Sequence, residues 1–131
     1  MLISVCICTF RRPAMLLDLL HAIGRQQLSD LQASVEVVVV DNDQAHSALP
    51  VLSAWLGTPG LTLVFMHEPA PNISVARNAA IHKASGDWIA FIDDDETPET
   101  DWLSRLVEAQ RRFQADAVFG PVIPRYGERT P

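Results

Sequence analysis

Asp93-Asp94-Asp95-Glu96 sets four acids in a row directly behind the apolar run Trp88 to Ile92. While the chain stays extended, residues two apart point to one side, so Asp93 and Asp95 converge and Asp94 turns away. Two carboxylates about 4 Å apart repel by roughly 4 kcal/mol at an effective dielectric near 20. Water must solvate them or a cation must bridge them. Oxygen-only ligation by few protein carboxylates is what Mg²⁺ or Mn²⁺ accepts when substrate phosphates complete the shell. The plainer alternative is an acidic helix N-terminus, where Asp and Glu complement the dipole. It accounts for Glu96 and Glu99 but not for three aspartates abutting a buried strand.

A second pattern is Asn72-Ile73-Ser74-Val75-Ala76-Arg77-Asn78. It places Arg77 and free backbone N–H groups in the opening turns of a helix, where anions are attracted. Arginine adds a planar donor fork suited to phosphate or to a base edge; a surface salt bridge is the plainer reading. Position supplies a third signal. Thr9, Asp41 and Asp93 each end an apolar, strand-like run, and in an open parallel sheet the carboxyl ends of the strands border the ligand crevice. Structural turns also use Asp and Thr. Three such ends together, one leading four acids, are better evidence than any one alone.

The elements that must position these residues read as strands alternating with helices, the signature of an α/β parallel sheet. Ile3 to Cys8 is the first strand. Pro13 can open the first helix, with Leu16, Leu19, Leu20 and Ile23 as its apolar stripe. Glu36 to Val40, strongly β-branched, is a second buried strand. A weaker helix, roughly Ser47 to Leu56, leads through Gly57-Thr58-Pro59-Gly60 to a third strand, Leu61 to Met66. After the loop Pro69-Ala70-Pro71-Asn72, an alanine-rich helix runs from Ser74 to Ala84 and stops near Gly86. Ala76, Ala79 and Ala80 let it lie close to the sheet. Trp88 to Ile92 is the fourth strand. Thr97-Pro98 has the form of an N-cap and first helical residue, and Trp102, Leu103, Leu106, Val107 and Phe113 share a face of the helix that follows. Ala117 to Val122 is expected to be a fifth strand.

Composition bounds the rest. The 131 residues, 48% hydrophobic and 20% charged, suit one globular domain. Nine Pro and six Gly are too few for a disordered or collagen-like chain. No apolar run approaches the ~20 residues of a membrane span. The apolar N-terminus lacks a basic leader and a small-residue cleavage site, which favours a buried strand over a signal peptide. Ten basic against sixteen acidic residues give a net charge of −6, which argues against nucleic acid as a partner. An acidic protein that binds a polyanion needs local arginines or a divalent cation. Cys6 and Cys8 are too few for a disulfide framework or a zinc site; they read as reduced core thiols in a cytoplasmic protein. His21, His46, His67 and His82 show no metal-ligand spacing and read as structural or surface residues.

In four motifs, taken in order, the chain resembles the family 2 glycosyltransferases with the GT-A fold. They are Val5 to Pro13, Val38 to Asn42, Ala76 to Ala80 and Gly86 to Asp95, and the likeness continues into Pro98 to Leu103. The resemblance implies a Rossmann-like nucleotide-diphospho-sugar-binding fold, a mostly parallel sheet flanked by helices. Thr9 and Asp41 would contact the nucleobase, normally uracil, with Asp41 accepting from the ring N–H. Arg77 would contact the donor nucleotide, and Asp93 and Asp95 would be the outer acids of the Asp-x-Asp motif. The implied nucleotide-binding set is Thr9, Arg12, Asp41, Arg77, Asp93 and Asp94. The implied metal set is Asp95 with Asp93, holding Mg²⁺ or Mn²⁺ on the diphosphate. The donor would be a UDP-sugar and the acceptor a glycan or lipid-linked hydroxyl.

Departures from the family pattern fall at Asp43-Gln44-Ala45-His46-Ser47, where a small-polar stretch is common, and at Asn72, where glycine is frequent. Asn tolerates the left-handed conformation that such a turn would use. The family's catalytic domain is also longer. Residues 1–131 are therefore expected to be a single domain, the truncated nucleotide-binding part with the acceptor-side half missing, and no catalytic base is assigned within them. On that expectation the fragment binds nucleotide without transferring sugar. Two other classes compete. Asp93-Asp94-Asp95-Glu96-Thr97 fits the Asp-x-Asp-x-Thr motif of haloacid-dehalogenase-type phosphatases, with Asp93 as nucleophile, although that motif normally follows the first strand. A non-enzymatic nucleotide-binding or interaction module that self-associates through exposed apolar surface is the other.

Overall fold

Two near-continuous apolar runs form the middle of a sheet. The computed structural model describes residues 1–28, 31–55 and 61–126. In it β1 (Leu2–Thr9) pairs in parallel with β2 (Ser34–Asp41), in register from Leu2 opposite Ser34 to Thr9 opposite Asp41. β3 (Thr62–His67) extends the sheet beyond β2, and the short β4 (Trp88–Phe91) lies on the other flank of β1. Among the described residues the order is β3-β2-β1-β4, with every pairing parallel. Valine and isoleucine suit both central strands, which are covered on both faces.

Pleating sends alternate residues to opposite faces. Ile3, Val5 and Ile7 join Val35, Val37 and Val39 on one face. There α1 (Pro13–Gly24), α2 (Leu49–Trp55) and α4 (Trp102–Phe113) deliver Leu16, Leu20, Leu52, Leu103 and Val107. Cys6, Val38 and Val40 face the other way, against Ala76, Ala79 and Ala80 of α3 (Ile73–Lys83). Small side chains at that contact bring the α3 backbone close to the sheet. Pro13 opens α1 as expected, where its missing N–H costs nothing.

The structure corrects several local expectations. Ala117 to Val122 is no strand: this β-forming run ladders with nothing among the described residues, and Phe119 is 93% exposed. Thr97-Pro98 does not open the last helix, which begins at Trp102. A tertiary contact overrides the local signal. The Gln26 side chain, just past α1, donates to Glu99 O and accepts from Leu103 N, so a residue of another element caps α4. Phe113, expected on the buried face, is exposed. Asn72 is extended (φ −146°) rather than left-handed, and its side chain caps α3. Ends of α2, β3, α3 and β4 fall one or two residues from expectation, and Leu56 and Gly57-Thr58-Pro59-Gly60 lie outside the described residues.

The amino end of the sheet is tied by one buried acid. Glu36 on β2 accepts from the Ser4 hydroxyl on β1 and from the Ser85 amide and hydroxyl ahead of β4. Gly86 completes the junction by donating to Ser4 Oγ at 2.8 Å. A Cβ there would lie 2.6 Å from that oxygen and 2.7 Å from Ser4 N, so only glycine fits. Burial pushes the Glu36 carboxyl up, but the bonds from Ser4, Ser85 and Gly86 outweigh it and hold the group below its ordinary range. A folded-state value below the unfolded one stabilises fully above the ordinary glutamate range, and that contribution is lost as pH falls through the folded value. Glu36→Gln is therefore expected to cost about 1–3 kcal/mol at neutral pH. Urea denaturation should show its gap from wild type closing on acidification below about pH 4.

Candidate functional site

The opposite, carboxyl end of the strands carries the acids. A cavity of about 530 Å³ opens there, bounded by Thr9 and Arg12 after β1, Asn42 after β2, Arg77 on α3, and Asp93 to Asp95 after β4. Six of the seven residues expected to act together, Thr9, Arg12, Arg77, Asp93, Asp94 and Asp95, line it. Asp41 does not.

The acidic run is a turn and not an extended stretch, with Glu96 N donating to Asp93 O at 3.1 Å, yet only its middle acid is buried. The Asp94 side chain is 6% exposed, against 60% for Asp93 and 48% for Asp95. Asp94 turns inward because partners wait there: Thr9 Oγ1 donates to Oδ2 at 2.8 Å, and Arg12 Nη1 donates to Oδ1 at 3.0 Å. The same Arg12 nitrogen reaches Asp95 Oδ2 at 2.8 Å. The hydrogen bond to Asp94, with the charges of Asp94 and Asp95, holds the Arg12 guanidinium above its already high ordinary value. Across the cavity, Arg77 Nη2 donates to Asp93 Oδ1 at 3.1 Å. Arg12 at the start of α1 and Arg77 within α3 thus neutralise both cavity-facing acids.

Asp41 sits elsewhere than expected. It is fully buried, and its two carboxylate oxygens accept from the backbone of its own loop, Oδ1 from Asp43 N and Oδ2 from Ala48 N. In this arrangement its carboxylate shapes the β2–α2 turn. The next acid, Asp43, pairs with Arg11 Nε at 3.0 Å. Burial raises Asp43, but Arg11, the Ala45 amide and the Ser47 hydroxyl prevail and lower it. Arg11 reaches that loop because its backbone is left-handed (φ 56°), which turns it away from Arg12.

Sequence reasoning missed Asn42. Its amide donates at 2.6 Å to both Glu68 O and Ala70 O, pinning the β3–α3 loop beside the cavity. Adjacency to Asp41 was the available signal, though no pattern disclosed the long-range partner. His67 and His46 stack with ring centroids 3.6 Å apart, and His67 Nε2 lies 3.0 Å from Asp43 O. The amides at the start of α3 are less open than expected, since Asn72 Oδ1 accepts from Ser74 N and Val75 N. Arg77 is the anion-seeking feature of that helix.

Burial, eased by Arg77 and reinforced by Asp93 and Asp94, pushes the cavity-lining Cys8 thiol up to about 11, so it stays protonated at neutral pH. Burial pushes Cys6 up to about 12. Neither is an activated nucleophile. The donor set does fit a hard divalent cation. Asp93 and Asp95 both offer carboxylate oxygens to a cavity large enough for phosphates, and Mg²⁺ commonly takes only one or two carboxylates. Among the described residues no three acids, histidines or cysteines converge as a self-sufficient metal cage.

The profile of Glycosyl transferase family 2 matches residues 4–131. The chain belongs to this family. It is 38% identical, over 98% of its length, to the succinoglycan biosynthesis protein ExoM of Rhizobium meliloti, of which it covers 41%. Among solved structures, S. aureus TarS in complex with UDP-GlcNAc superposes with a TM-score of 0.70 at 22% identity, over 95% of this chain and 37% of that one. The mannosyltransferase PcManGT from Pyrobaculum calidifontis, in complex with GDP-Man and Mn²⁺, gives 0.71 at 25% identity, over 82% and 32%. The GT-A fold is thereby established. The chain spans about two fifths of the length of the curated relative ExoM. Its acid run follows β4 and not β1, where the phosphatase motif would place it. No helix among the described residues is long and apolar enough to cross a membrane.

The unequal burial of the three aspartates has a measurable consequence. Asp94→Ala strands Thr9 and Arg12 and should lower unfolding free energy by about 1–3 kcal/mol. Asp95→Ala removes one exposed ion pair and should cost under ~1 kcal/mol. Urea midpoints of the two variants check the ranking.

Proposed function

We propose that this chain is the donor-binding half of a glycosyltransferase that moves a sugar from a nucleoside diphosphate, UDP on the family resemblance, to an acceptor hydroxyl. The observation that carries the reading is the convergence of Arg12, Arg77 and Asp93 to Asp95 on one cavity at the carboxyl end of a parallel sheet, in a family 2 chain. Two arginines and a bridging cation are what an acidic protein needs to hold a polyanion.

Asp95, with Asp93, would hold Mg²⁺ or Mn²⁺, which when bound supplies Lewis-acid stabilisation of charge on the departing diphosphate. The rest falls to the chain itself. Arg77, on the α3 side of the cavity, and Arg12, on the α1 side, approach a diphosphate from opposite flanks. Thr9 and Asp94 fix Arg12 in place. Asn42 holds the Glu68 to Ala70 loop that leads into Pro71 and Ile73 on the cavity wall, and Asp41 keeps the β2–α2 turn in shape. The fold likeness to proteins solved with UDP-GlcNAc and with GDP-Man and Mn²⁺ supports a sugar-nucleotide donor. Acceptor and catalytic base are assigned to the part of the relatives' length that this chain does not span.

Calorimetric titration of UDP, GDP and CDP into the 131-residue chain, with and without Mn²⁺, tests the reading. UDP should bind, Mn²⁺ should tighten it at least several-fold, and Asp95→Ala should abolish that gain. Binding that is indifferent both to cation and to Asp95→Ala removes the metal role; absence of binding by all three nucleotides removes the donor site.

A further inference from the structure

One guanidinium nitrogen serves two unequal carboxylates. Arg12 Nη1 donates to Asp94 Oδ1 at 3.0 Å and to Asp95 Oδ2 at 2.8 Å. Asp94 is buried and also accepts from Thr9, so its tie to Arg12 is a fixture of the fold. Asp95 is half exposed and faces the cavity, and an exposed pair of that kind is weak enough to exchange. The bond to Asp94 therefore anchors a positive charge beside Asp95 whether or not Asp95 accepts from it.

We infer that Arg12 is the resident counter-ion of Asp95. Its ion pair neutralises that carboxylate, and it releases Asp95 when Asp95 serves a divalent cation, leaving its own charge to the diphosphate. The inference rests on the donor-site reading above and adds a positioning residue to it. Its signature is a pair of opposite effects. Removing the guanidinium takes a competitor from Asp95, so a cation alone binds more tightly. It also takes a phosphate partner from the cavity, so a nucleotide alone binds less tightly. A purely structural role would weaken both.

The test titrates Mn²⁺ alone and UDP alone into wild type, Arg12→Gln, Arg12→Lys and Asp95→Ala, with folding checked by circular dichroism. Arg12→Gln should bind Mn²⁺ about three- to tenfold more tightly than wild type and UDP several-fold more weakly. Arg12→Lys keeps the charge without the planar fork and should fall between; it carries the comparison if Arg12→Gln does not fold. Asp95→Ala should lose Mn²⁺ binding. Unchanged or weaker Mn²⁺ binding by the Arg12 variants, while wild type still takes up UDP with Mn²⁺, overturns the counter-ion role and leaves the donor site standing. Failure of every form to bind Mn²⁺, with or without UDP, overturns the counter-ion role together with the metal role, and failure to bind UDP as well overturns the donor site.

Discussion

The candidate site depends on one buried charge. Removing a carboxylate from water costs several kcal/mol unless it is paired and hydrogen-bonded, and Asp94 meets that condition with Thr9 on one oxygen and Arg12 on the other. The turn from Asp93 to Glu96 does not by itself say which acid goes inward. The partners of Asp94 draw it in and leave the two outer acids exposed at the cavity. Thr9, at the end of β1, thus helps to orient the acidic run.

Sheet order explains why these groups can meet. β1 lies between β2 and β4, so the loop that follows it borders the loops that follow both neighbours. At the other end of the same strands, Glu36 and Gly86 bind β1, β2 and the approach to β4 into one node. Polar groups at that end are closed on one another. At the carboxyl end, Arg12, Arg77, Asp93 and Asp95 retain exposed surface despite their ion pairs. Rigidity and reactivity are thereby placed at opposite ends of the same sheet.

Much of this was legible because the signals were local. The valine run of β2, Pro13 at the start of α1 and the alanines of α3 each carry their own physical reason. The middle acid of Asp93 to Asp95 is buried as alternation expects, but the backbone there is a turn and not extended. What stayed hidden depended on distant partners. Thr97-Pro98 resembles a helix start, yet Gln26 supplies the cap of α4 from 77 residues away. Ala117 to Val122 has strand composition, but a strand needs a neighbour and this segment has none among the described residues. Asp41 ends its strand as a ligand residue would, and only the amides of Asp43 and Ala48 reveal that it faces inward. Asn42 was overlooked for the same reason.

Arg11 adopts φ 56° and Arg12 returns to φ −127°, and that single reversal throws neighbouring guanidiniums in contrary directions, one to Asp43 and one to Asp94. The loops behind β2 and β4 are thereby tied to two successive residues, the Arg11–Asp43 pair being the weaker tie because Arg11 is largely exposed. Inserting one residue between Arg11 and Arg12 would put those two pairings out of step.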